Sequence, residues 1–197
     1  MAEDVEASRS IEERVMLRLP TPVAQLVMRG FARLPPGSHL RRRMLKRSFA
    51  RGFEAARRED YAVDLLFYEP DVELRAPGEV AGALGLPESY YGHQGFIDVW
   101  SDMKQDMDDF RFEPEQIIDL GDRVALRGTL VGRGRASGVL TRQTAGFIYH
   151  FSQRGLVVLQ ELHWTWEDVL NALNDHDEAL RTGGLPDGCC SYVKRRR

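Results

Sequence analysis

The sequence predicts an α+β domain, with helices on one side of an antiparallel sheet. Three observations carry this. Apolar residues recur at helical spacing through the first half of the chain. From Phe112 onward, four runs of strand character follow one another, separated by short turns. A last amphipathic segment begins near Thr165.

The helical half reads as follows. Ser10-Ile11-Glu12-Glu13 has the form of a capping box and opens a short helix that stops at Pro20. Thr21-Pro22 opens a second helix, with proline at a position that needs no N–H donor. It carries Val23, Leu26, Val27 and Phe31, and Pro35-Pro36-Gly37 ends it. Ser38 caps a longer helix to about Arg58. Leu45, Phe49, Phe53 and Ala56 form its apolar stripe, while Arg41, Arg42, Arg43, Lys46, Arg47 and Arg51 make the other face basic. That basic face suits contact with nucleic acid or an acidic partner, or a solvated face paired with nearby acids, and the second reading is preferred. Tyr61, Leu65 and Tyr68 mark a short helix before Pro70, and residues 71–75 a short strand. Residues 76–91 read as an irregular loop, and 95–107 as a helix through Phe96, Val99, Trp100, Met103 and Met107.

The sheet half begins with a strand from Phe112 to Leu120, and Gly121-Asp122 supplies hairpin turn chemistry. Strands follow over 124–133, 139–151 and 156–164. The Gly132-Arg133-Gly134-Arg135 stretch reads as a bulged hairpin connection. No helix follows it, so it lacks the context of a phosphate cradle. Thr165 and Asp168 cap a last helix with Leu170, Leu173 and Leu180 inward, and Gly183-Gly184 stops it.

Composition sets bounds on function. The chain has 197 residues, 43% hydrophobic and 29% charged, enough for a real core without disulfides. The expected organisation is a helical extension over 1–37, a domain over 38–184 and a tail over 185–197. The net charge of -3 predicts no general affinity for nucleic acid or anionic membrane. Cys189 and Cys190 are adjacent, which suits neither a bridge nor a zinc site, and fits reduced thiols in a cytoplasmic protein. The acidic N-terminus is unlike a secretory signal, and no run suits a membrane span.

Several segments together resemble the SnoaL-like branch of the nuclear transport factor 2 superfamily. Tyr68-Glu69-Pro70-Asp71-Val72-Glu73 is similar to the family's strand entry, and Tyr91-Gly92-His93-Gln94-Gly95-Phe96 to its helix start. The Glu115 to Val124 segment resembles its first long hairpin. Gly132 to Gly138 and Gly155-Leu156-Val157-Val158 match later turns. The resemblance spans about residues 38–182. It implies a cone, in which a curved sheet and covering helices enclose a pocket. It also implies a homodimer built on the sheet's outer face, where Leu162, Trp164 and Trp166 are candidate contacts. The family includes cyclases, isomerases, hydrolases and proteins without known activity, so the fold leaves function open.

Candidate chemistry follows from strand parity. Glu161 and His163 are two apart and share a face. On the inner face they would form an acid/base pair; on the outer face they would be solvated or at a subunit contact. Gln143, Phe147 and Tyr149 share a face, and the Tyr149 hydroxyl suits a developing oxyanion. Arg127 either holds a substrate oxyanion or pairs with a carboxylate on a neighbouring strand. Tyr68 and Trp100 are placed to cover the mouth, as ligand contacts or as plain core. His93 reads as a helix-start group, and Asp106, Asp108 and Asp109 as a solvated helix end. The histidine spacings suggest no metal. Two readings stand: cofactor-free binding or proton-transfer chemistry on a small apolar ring- or carbonyl-containing molecule, or a non-catalytic dimerising domain.

Overall fold

A computed structural model describes residues 9–182 of the protein. Cys189-Cys190, the Lys194-Arg195-Arg196-Arg197 run, Gly183-Gly184, residues 1–8 and the Leu180 side chain lie outside the described residues. The helices are α1 (Ile11–Arg18), α2 (Thr21–Ala32), α3 (His39–Arg57), α4 (Tyr61–Asp64), α5 (Gly78–Leu84), α6 (Gly92–Lys104) and α7 (Trp166–Thr182). The strands are β1 (Tyr68–Arg75), β2 (Ser89–Tyr91), β3 (Met107–Asp119), β4 (Arg123–Gly134), β5 (Leu140–Phe151) and β6 (Val157–His163). They form one curved, unclosed sheet in the order β2-β1-β6-β5-β4-β3. β1 pairs parallel with β6; every other pairing is antiparallel.

Local chemistry explains the boundaries. The Ser10 capping box is complete, with Glu13 Oε2 accepting from the Ser10 N–H at 2.6 Å. The Ser38 hydroxyl accepts from the Arg41 N–H and opens α3. Gly121 takes φ 96°, and Leu120 N donates to Arg123 O at 2.9 Å, closing a two-residue hairpin. Thr165 and Asp168 bond each other's backbone N–H and cap α7.

The inner face of the sheet carries Phe112, Leu126, Phe147, Tyr149 and Leu162, packed against α3 and α6. Phe53 of α3 lies 4.7 Å from Phe112, and Phe49 4.8 Å from Tyr149, ring centre to ring centre. Each such ring removed from water contributes roughly 1.5–3 kcal/mol. The outer face carries Ala125 and Ile148, which α7 covers with Trp166, Val169 and Leu173. Gly146 permits this approach, because a Cβ there would collide with Val169 Cγ2.

Four expectations need correction. Residues 76–91 are not an irregular loop: they hold α5 and β2. Gly85 ends α5 in the left-handed conformation, and β2 is registered on β1 with Leu74 opposite Tyr90. Arg41 does not belong to a solvated basic face. It is buried, bonded to the Asp119 carboxylate at 2.9 Å and to the Leu34 and Gly121 carbonyls. Leu170 is exposed, and Val169 takes the inward place on α7. Leu162 and Trp164 pack into the inner core and offer no outer-face contact.

Candidate functional site

Strand register decides what can meet what. Leu126 stands opposite Phe147, and Leu130 opposite Gln143, so Gln143, Phe147 and Tyr149 share the inner face with the core of β4. On β6, Gln160 pairs with Tyr149 and Leu162 with Phe147, which turns Gln160, Leu162 and Trp164 inward. Glu161 pairs with Ile148, and His163 with Gly146. Glu161 and His163 therefore share the outer face, opposite Tyr149.

The outer-face pair has partners of its own. Glu161 Oε2 lies 2.8 Å from His150 Nε2, and Glu161 Oε1 lies 3.7 Å from Arg75. His163 is buried where α7 crosses the sheet, near Gly146 and Val169. Arg127 is also on the outer face, 3.9 Å from Glu115 of the neighbouring strand. The structure does not bring Glu161, His163 or Arg127 to Tyr149.

An open cavity of about 340 Å³ sits at the other end of the inner face. Leu84 of α5, Phe110 and Met107 of β3, Leu130 of β4, Gln143 of β5 and Trp164 line it. The wall is mostly apolar, with the Gln143 amide, the Thr141 hydroxyl and the Trp164 indole N–H among its side-chain polar groups. Among the described residues, no titratable side chain lines it. A second, charged groove of about 500 Å³ adjoins it across Met107 and Phe110. Arg57, Lys104, Arg111 and Arg135 line that groove together with Glu59, Asp108 and Asp109. Asp108 and Asp109 thus belong to β3 and a groove wall, not to a helix end, and Arg135 holds Asp108 at 3.1 Å.

Deeper in the domain is a buried polar cluster. Tyr68 OH donates to Gln160 Oε1 at 2.7 Å. Burial raises both the Tyr68 and Tyr149 hydroxyls well above the usual tyrosine value, and the neighbouring Asp64 charge adds to this. Asp64 is a further buried polar group of this interior. Burial, then the Asp60 and Glu13 charges, push its carboxyl well above the usual carboxylate range, against the pull of Arg58. Its Oδ2 has no hydrogen-bond partner among the described residues. It packs on the α3 backbone: a Cβ on Gly52 would stand 2.6 Å from Asp64 Oδ1. The rings of Phe53, Phe112, Phe147 and Trp100 fill the interior. Trp100 touches Phe110 at 6.1 Å, and its indole N–H has no partner among the described residues.

Sequence reasoning missed Asp64. A signal was present: an aspartate stands between Val63 and Leu65 in an otherwise apolar run. His93 lies in the first turn of α6 with Nε2 3.2 Å from the Tyr68 carbonyl of β1, and it does not cap the helix. Among the described residues, no group of three or more His, Cys, Asp or Glu is placed to hold a metal.

The sequence matches the SnoaL-like domain family over residues 49–160. No curated protein matches it. Among solved structures, an NTF2-like protein of unknown function from Burkholderia pseudomallei is similar. It is 21% identical with a TM-score of 0.54, over 64% of this chain and 94% of that one. TerC co-crystallised with polyporic acid is also 21% identical, with a TM-score of 0.53 over the same shares. IdmH, a putative polyketide cyclase from Streptomyces antibioticus, is 21% identical with a TM-score of 0.50, over 60% of this chain and 89% of that one. The chain belongs to the SnoaL-like domain family, and these neighbours share its fold.

Proposed function

We propose that this SnoaL-like domain binds a small, apolar, ring- or carbonyl-containing molecule in the cavity between α5, β3 and β5. The observation that carries the reading is the wall itself. About 340 Å³ of mostly apolar space, bounded by Leu84, Phe110, Leu130 and Trp164 and marked by the Gln143 amide and the Thr141 hydroxyl on β5, suits a flat apolar ligand with one polar edge. The Gln143 side chain both donates and accepts, so it can orient a carbonyl or a hydroxyl. TerC co-crystallised with polyporic acid and IdmH, a putative polyketide cyclase, agree with a ring-shaped ligand.

The wall favours binding over proton transfer, because it offers no acid or base. One observation favours turnover as a second reading. Asp64 is a buried acid whose charge reaches the Tyr149 hydroxyl, the kind of raised-pKa carboxyl that acid/base chemistry uses. The Phe53 and Phe147 rings fill the interior there, so a substrate would have to displace them.

The test is a crystal soaked with 2-naphthol, a neutral two-ring probe. The binding reading expects its rings against Trp164 and its hydroxyl at Gln143. Rings lodged beside Tyr149 and Asp64 would favour the second reading, and an empty cavity would contradict both.

A further inference from the structure

The chain's net charge of -3 is an average over an uneven sequence. From Arg14 to Phe53 there are ten Arg and Lys residues and no Asp or Glu. This run, from the second half of α1 through most of α3, is the chain's basic pole; Glu12 and Glu13 precede it and Glu54 follows it. Glu12 bridges Arg47 and Arg51, but Arg18, Arg29, Arg33, Arg42, Arg43 and Lys46 have no salt bridge among the described residues.

The same pole exposes apolar side chains. On α1, Ile11, Arg14, Val15 and Arg18 follow i, i+3, i+4, i+7 spacing and all are exposed, with Ile11 at 79%. The buried member of α1 is its acid, Glu13, paired with Arg58 at 3.2 Å. The helix thus buries an acid and leaves Ile11 and Val15 outward among Arg14 and Arg18. On α2, Val23, Leu26 and Val27 are exposed, with Leu26 at 68%. Leu40, 56% exposed, adds a further apolar group beside exposed Arg42 and Arg43 on α3.

We propose that this pole docks on an anionic phospholipid surface. Guanidinium groups interleave with the apolar side chains on the same stripe of α1. A headgroup layer satisfies both at once: phosphates take the arginines, and the acyl boundary takes Ile11, Val15, Leu26 and Leu40. Nucleic acid would use the cations and leave the apolar residues idle. A protein partner would need a carboxylate for nearly every interleaved arginine. No described helix is long and apolar enough to cross a membrane, so the contact is peripheral. The inference is independent of what the cavity binds.

Flotation of the full chain tests it, with vesicles of phosphatidylcholine alone or mixed with phosphatidylglycerol. The chain should float with the mixed vesicles and not with phosphatidylcholine alone, and salt should release it. Replacing Arg42, Arg43 and Lys46 with Gln removes three exposed charges and should weaken binding about a hundredfold. Ile11→Ser with Leu26→Ser should weaken it severalfold while leaving the salt dependence in place, and an unchanged circular dichroism spectrum confirms that each variant folds. No flotation with either vesicle overturns the proposal. So does salt-sensitive binding to duplex DNA that ignores the serine variants, which would make the pole a nucleic-acid surface. A dimer by light scattering that the serine variants dissolve, without flotation, would assign the face to a second copy and likewise overturn it.

Discussion

The Tyr68 hydroxyl donates to Gln160 Oε1 at 2.7 Å inside the domain. The next residue, Glu161, turns to the opposite face and meets His150. One step along β6 separates the buried polar cluster from an outer-face ion pair, because side chains alternate across a strand. Gln160→Leu should cost about 1–3 kcal/mol by leaving a buried hydroxyl without its acceptor. Glu161→Gln should leave 2-naphthol affinity unchanged. Urea unfolding and calorimetry check the two halves, and a large affinity loss in Glu161→Gln would contradict the placement.

Asp64 predicts an unusual pH dependence. Its folded-state pKa is raised, so the folded protein holds a proton that the unfolded chain releases above the usual aspartate value of about 3.9. Stability from this group is therefore greatest at low pH. It falls as pH rises from there until the raised folded value is passed. Asp64→Asn removes that loss. The variant should melt higher than the parent at pH 7, with the advantage shrinking toward pH 4. A constant difference across that range would mean that Asp64 is ionised in the folded protein.

Gly146 and Val169 make a steric prediction. A Cβ at Gly146 meets Val169 Cγ2, so Gly146→Ala must push α7 off the sheet. The expected loss is about 1–3 kcal/mol. Gly146→Ala combined with Val169→Ala should recover part of it. Chemical denaturation of the two variants and of Val169→Ala alone completes the cycle.

Arg41 joins α3 to the β3–β4 hairpin through Asp119 and the Gly121 carbonyl. Arg41→Ala leaves the buried Asp119 carboxylate without its cation, held only by the Gly37 and Gly121 N–H groups, and should cost about 3–5 kcal/mol. Arg41→Ala with Asp119→Ala should cost less than the single change. Thermal unfolding of both measures this.

Much of the fold was legible because the signals were local. The Ser10 and Ser38 caps, the Gly121 hairpin and the alternation through Phe147 and Tyr149 each depend on a few neighbouring residues. The α5–β2 segment was hidden because Gly, Pro and Ala mask its period, and because β2 is a strand only by pairing with β1. Parity correctly joined Glu161 with His163, and Gln143 with Phe147 and Tyr149. It could not say which set faces inward, since both sheet faces are covered, one by α3 and α6 and the other by α7. Arg41 read as surface because its partner, Asp119, is far away in the chain.

The central claim is that the apolar cavity binds a small ring-shaped molecule. The most direct test is calorimetric titration of 2-naphthol into the parent chain and into Thr141→Trp. Thr141 is an exposed wall residue, so the substitution fills the cavity and should change stability by less than about 0.5 kcal/mol. One-to-one binding to the parent that disappears in Thr141→Trp is the predicted result. Equal binding to both chains, or none to the parent, would contradict the account.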